Sequence, residues 1–89
     1  MIESTITIKN RTGLHARAAA KLVETVTSFS STVEISNGTK KVDGKSILSV
    51  MMLAASPGSE LILMIDGNDE EETLQAIVTL VENNFGEES

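Results

Sequence analysis

Ile2-Glu3-Ser4-Thr5-Ile6-Thr7-Ile8 is the stretch on which the architecture turns. Ile2, Ile6 and Ile8 alternate with Glu3, Thr5 and Thr7, the period of a β-strand with one apolar and one polar face. A strand that stays wet on one side belongs to a sheet covered on the other side only. That constraint limits where every later element can pack.

Asn10 to Gly13 is a turn. From Ala16 the apolar positions fall at Ala16, Ala19, Ala20, Val23 and Val26, which predicts a helix with one narrow buried stripe. Ser28 to Thr32 breaks it. Val33 and Ile35 alternate with Glu34 and Ser36, and Asn37-Gly38 is a hairpin signal leading to a short strand around 40–42. Gly44 ends that strand, and Ser46 caps a short helix through Ile47, Leu48, Met51 and Met52. Beyond Pro57-Gly58, the run Leu61-Ile62-Leu63-Met64-Ile65 reads as a well-buried strand closed by Gly67. Asp69 to Glu72 place acid at the start of a last helix, whose buried face is Leu74, Ile77, Val78 and Val81. The order β-α-β-β-α-β-α predicts an α+β open-faced β-sandwich, a mostly antiparallel four-stranded sheet with three helices on one face.

The 89 residues suffice for one domain, 1–89, with no repeat or linker. With Phe29 and Phe85 the only rings, the core must come from Ile, Leu, Val, Met and Ala. The absence of cysteine excludes disulfides, iron–sulfur clusters and thiolate zinc sites. The start Met1-Ile2-Glu3-Ser4-Thr5 lacks the basic and apolar regions of a signal peptide, and no apolar run reaches the roughly 18 residues of a membrane span. These features predict a cytoplasmic protein without membrane insertion.

A net charge of −6 argues against nucleic-acid binding. All seven Lys and Arg residues lie within residues 1–45 with four acids, whereas residues 46–89 hold nine acids and no base. A basic half beside an acidic half fits a local anion site on an acidic protein; segregation of solvated charges is the plainer alternative.

His15, the single histidine, follows the turn Thr12-Gly13-Leu14 and immediately precedes the helix that begins near Ala16. A helix start offers unpaired backbone N–H groups and a partial positive charge, which together bind phosphate. The same field disfavours a protonated imidazole and keeps a neutral nitrogen available as a nucleophile. Arg17 can make a charge-assisted contact to phosphate oxygens, and Gly13 lets the chain turn tightly enough to present the ring. His15 as a simple helix cap is the competing reading. Against it stand the small residues Ala16, Ala18, Ala19 and Ala20, which leave room around the ring, and Arg17, a cation in a first turn that favours anions. With no second histidine there is no metal site, and no cofactor is called for. One nucleophile beside an anion cradle suits a protein that is itself the substrate of other enzymes.

Gly13-Leu14-His15-Ala16-Arg17 resembles the active-site signature of the HPr family, the histidine phosphocarriers of the bacterial phosphotransferase system. Val42-Asp43-Gly44-Lys45-Ser46-Ile47-Leu48-Ser49-Val50-Met51 resembles the regulatory serine segment of that family, and length, motif separation and element order agree across the whole chain. The resemblance implies that His15 is phosphorylated on a ring nitrogen by enzyme I, drawing on phosphoenolpyruvate, and passes the group to IIA-type acceptors. It implies that Arg17 stabilises the phosphate and that Ser46 is the phosphoserine of an ATP-dependent HPr serine kinase/phosphorylase. The family usually has proline where this chain has Ala18, which implies a looser first turn and affects transfer rate more than identity. The tail Glu82-Asn83-Asn84-Phe85-Gly86-Glu87-Glu88 and Met51-Met52-Leu53-Ala54 are also similar to the nitrogen-related branch, NPr, so the sugar and nitrogen branches both fit.

Leu14, Ala20, Ile47, Leu48 and Met51 sit on or beside the first two helices near His15. Ile47, Leu48 and Met51 are expected to form an exposed docking patch with a basic rim of Arg17, Lys21 and Lys45, the alternative being that all three are core. The chain is expected to act as a monomer. Two rival functions compete with the carrier: an HPr-fold interaction module that transfers nothing, and an acyl carrier protein. The latter family is all-helical with aspartate directly before its serine, where this chain has Lys45.

Overall fold

The computed structural model describes residues 1–87; Glu88 of the acidic tail lies outside the described residues. The elements are β1 (Ile2–Thr7), α1 (Ala16–Thr27), β2 (Thr32–Ser36), β3 (Lys41–Asp43), α2 (Ile47–Met51), β4 (Glu60–Asp66) and α3 (Glu70–Glu82), then a 3₁₀ turn at Asn84–Gly86. The strands form one sheet in the order β1-β4-β2-β3, and every pairing is antiparallel. This is the expected open-faced α+β sandwich. Its sheet also excludes the all-helical acyl carrier architecture.

Register explains which face is covered. Ile6 lies opposite Leu61 across β1–β4, while Val33 and Ile35 lie opposite Ile65 and Leu63 across β2–β4. These side chains are buried, and the same core takes in Ala18, Ala19, Leu22 and Val26 of α1, Val50 of α2, and Ile77 and Val81 of α3. The neighbours one residue along face the other way. Ile62 and Met64 pair with Thr5, Glu3, Glu34 and Ser36 on the open face and are only half-buried. The run 61–65 is therefore not buried throughout: its apolar composition hides the period of two that the sheet enforces.

The stripe of α1 differs from expectation at its start. Ala18 and Leu22 are buried, Ala16 is exposed and Ala20 is half-buried. The alanines are too similar in size to mark a face; the large residue Leu22 sets the rotation of the helix. On α3 the buried face includes Thr73, while Leu74 and Val78 are only partly covered. Thr73 goes inside because its hydroxyl donates to the Asp69 carbonyl at 2.7 Å, which removes the cost of burying it.

Two turns shape the ends of the sheet and of α1. Asn37 organises the β2–β3 hairpin by accepting from the amides of Thr39 and Lys40 at 3.0 and 2.8 Å. Gly13 closes the turn before α1 with φ +69°, and a Cβ there would stand 2.6 Å from the Ala55 carbonyl oxygen. Glycine alone tolerates both that backbone conformation and that close approach. Among the described residues, no helix is long and apolar enough to cross a membrane.

Candidate functional site

His15 is the N-cap of α1, with extended backbone (φ −82°, ψ −178°), and its carbonyl accepts the first intrahelical bond from the Ala19 amide at 2.8 Å. The preceding turn is pinned twice: the Leu14 amide donates to the Ala55 carbonyl at 2.8 Å, and the Gly13 amide to the Asn10 carbonyl at 3.1 Å. The ring therefore sits where two backbone segments fix it. Its Nδ1 accepts from the Arg17 amide at 3.3 Å. The plain capping role is thus real, and it aims Nδ1 at the first-turn amides where an anion would be held.

The other ring nitrogen, Nε2, meets the Glu87 carboxylate. That carboxylate also accepts from Asn10 Nδ2 at 2.9 Å and Thr12 Oγ1 at 3.0 Å. Asn10 is fully buried, and its Nδ2 further donates to the Gly13 carbonyl at 2.7 Å. A flipped Asn10 amide would aim an oxygen at these acceptors, so the network itself fixes its orientation. Hydrogen bonds, first from Asn10 and then from His15, hold the Glu87 carboxyl below the usual carboxylate range. With a carboxylate facing Nε2 and a backbone N–H facing Nδ1, Nε2 carries the proton and Nδ1 the lone pair. The ring is about one-third exposed, so it is reachable from solvent.

Arg17 stands one residue into α1 and is exposed. Ser46 caps α2, accepting from the Ser49 amide at 3.4 Å. Of the expected docking residues, Ile47, Leu48 and Met51 are 44, 76 and 37% exposed, and Met52 joins them at 61%. Leu14 leaves the set: it is 4% exposed and packs in the core, because the pinned turn points it inward. Ala20 is half-buried. Lys21 and Lys45 are half-buried and tethered to backbone carbonyls, which leaves their charge in place. The Lys21 amine donates to the Phe85 carbonyl at 2.8 Å, and the Lys45 amine to the Phe29 carbonyl at 3.3 Å.

Sequence reasoning missed Glu87, Asn10 and Thr12. One signal was present: an aromatic residue, Phe85, inside an otherwise acidic tail. Its ring is fully buried, which docks the tail onto the domain and carries residue 87 over His15.

Comparison with known proteins places the chain in a family and agrees with its fold. A family model described as the PTS HPr component phosphorylation site matches residues 2–83. The chain is similar to the phosphocarrier protein HPr of Xylella fastidiosa, 46% identical over 89 residues and spanning all of both chains. It is also similar to that of Cupriavidus necator, 48% identical over 87 residues and 98% of each chain. The crystal structure of HPr-C-His from Thermoanaerobacter tengcongensis superposes over the full length of both chains with a TM-score of 0.94 at 49% identity.

Proposed function

The chain belongs to the HPr family of phosphocarrier proteins, and on that premise we propose that it takes a phosphoryl group from enzyme I on His15 and donates it to IIA-type acceptors of a bacterial phosphotransferase system. The observation that carries this reading is the contact of His15 Nδ1 with the Arg17 amide at the opening of α1. In-line attack by Nδ1 on phosphorus places the three phosphoryl oxygens beside those amides, which exchange a weak cap for charge-assisted hydrogen bonds. Arg17 adds its guanidinium to the same oxygens. In this role the chain carries the group, and its partners catalyse each transfer.

Ile47, Leu48, Met51 and Met52 form the surface on which those partners dock, since flexible apolar side chains adapt to several faces in turn. Ser46, directly beside them, is a second phosphorylation site, used by an HPr serine kinase/phosphorylase to interrupt docking. The carrier works as a monomer in the cytoplasm.

Incubation with enzyme I and radiolabelled phosphoenolpyruvate tests the reading. One acid-labile, base-stable phosphoryl group per chain is expected, absent from His15→Ala. Equal labelling of His15→Ala would overturn the site. An unlabelled wild-type chain would favour a non-transferring interaction module instead.

A further inference from the structure

The tail of the chain takes a costly path to reach the site. Asn84, Phe85 and Gly86 have φ of +54°, +56° and +80°, so two residues that carry a Cβ adopt the left-handed conformation in succession. Burial of the Phe85 ring and the hydrogen bond from Lys21 to its carbonyl already anchor the tail. Glu87 lies beyond both anchors, yet its carboxylate is held by His15, Asn10 and Thr12.

We infer that Glu87 is a positioning residue for phosphoryl transfer: its carboxylate, clamped by Asn10 and Thr12, holds the His15 ring by the Nε2 proton so that Nδ1 keeps its lone pair toward the start of α1. This role rests on the carrier reading of His15 and concerns how that site is prepared. A carboxylate on one imidazole nitrogen fixes which nitrogen is protonated and how the ring is turned, the logic by which outer carboxylates orient catalytic and metal-binding histidines. The clamp matters because a glutamate free to rotate would fix neither. As transfer proceeds, the Nδ1 lone pair forms the N–P bond while the bond from phosphorus to the donor breaks and its electron pair leaves with the donor. The proton stays on Nε2. The ring thereby gains a positive charge, which faces the Glu87 carboxylate, and it becomes neutral again when phosphorus moves to the acceptor.

The test uses the full chain with ¹⁵N-labelled histidine, as wild type, Glu87→Ala and Glu87→Gln. Wild type should show a proton bound to Nε2, slow to exchange and shifted to low field, with Nδ1 unprotonated. In Glu87→Ala that proton should vanish into exchange with water, and phosphoryl acceptance from enzyme I should slow about tenfold. Glu87→Gln retains a hydrogen-bond acceptor, so it should keep the proton signal while recovering only part of the rate. A ring proton on Nδ1 in the wild type would overturn the inference, as would a Glu87→Ala chain with an unchanged ring spectrum and a rate within twofold. A wild-type ring locked as described in a chain that accepts no phosphoryl group would support the lock and overturn the carrier reading, so the two failures are distinguishable.

Discussion

His15 and Glu87 stand 72 positions apart in the sequence, yet the Nε2 of one meets the carboxylate of the other. The contact closes a ring of interactions that runs from the turn before α1, through Asn10 and Thr12, to the tail of the chain. It leaves Nδ1 as the one ring nitrogen with its lone pair toward the helix.

Arg17→Ala should slow phosphoryl transfer by about one to two orders of magnitude. Losing a charge-assisted contact to phosphate costs about 1.5–3 kcal/mol, which converts to that range of rates. Because Arg17 is exposed, the fold should be unaffected. Transfer kinetics with enzyme I check this, and a change under twofold would make Arg17 an ordinary surface charge.

Ser46 should behave as both cap and switch. Ser46→Ala should cost about 0.5–1 kcal/mol, at the low end for a cap because the bond to the Ser49 amide is 3.4 Å long. Ser46→Asp keeps a capping oxygen, so its melting temperature should hold while transfer from enzyme I slows. Unchanged transfer with a lowered melting temperature would leave Ser46 as a cap alone.

Leu48→Glu should separate docking from folding. Leu48 is 76% exposed, so the substitution should move stability by no more than about 0.5 kcal/mol. On the proposed docking surface the new carboxylate should raise the KM for enzyme I about tenfold, leaving the kcat of the bound complex little changed. An unchanged KM would remove Leu48 from that surface.

Asp69 should make the protein acid-sensitive. Its carboxylate accepts from the hydroxyl of Ser31, from the amides of Ser30 and Ser31 at 2.9 and 3.0 Å, and from the Ser30 hydroxyl at 3.3 Å, tying the loop before β2 to the start of α3. These bonds, the Ser31 hydroxyl foremost, lower its pKa to about 2. A carboxyl lowered in the folded state contributes fully above its unfolded value near 3.8, and that contribution is lost as pH falls through about 2. Wild type should therefore lose melting temperature between about pH 4 and about pH 2 more steeply than Asp69→Asn, which should start lower. Parallel curves for the two chains would contradict the assignment.

What the sequence alone determined is what neighbours along the chain can specify. Alternation at 2–8, the helical spacing after Ala16, Asn37-Gly38 and the cap Ser46 each act within a few residues, and they set the element order and the place of His15 at a helix start. Tertiary structure decided the rest. Uniform runs hide their faces, so only sheet pairing turned Ile62 and Met64 outward, and only the seat of Leu22 rotated Ala18 inward and Ala16 outward. Leu14 was lost from the docking surface in the same way, by a turn pinned to the distant Ala55 carbonyl. The clamp of Asn10, Thr12 and Glu87 on His15 has no local period at all. It exists because burial of Phe85 folds the tail back across the domain, and a contact made by the path of the whole chain leaves no signature in any one stretch of it.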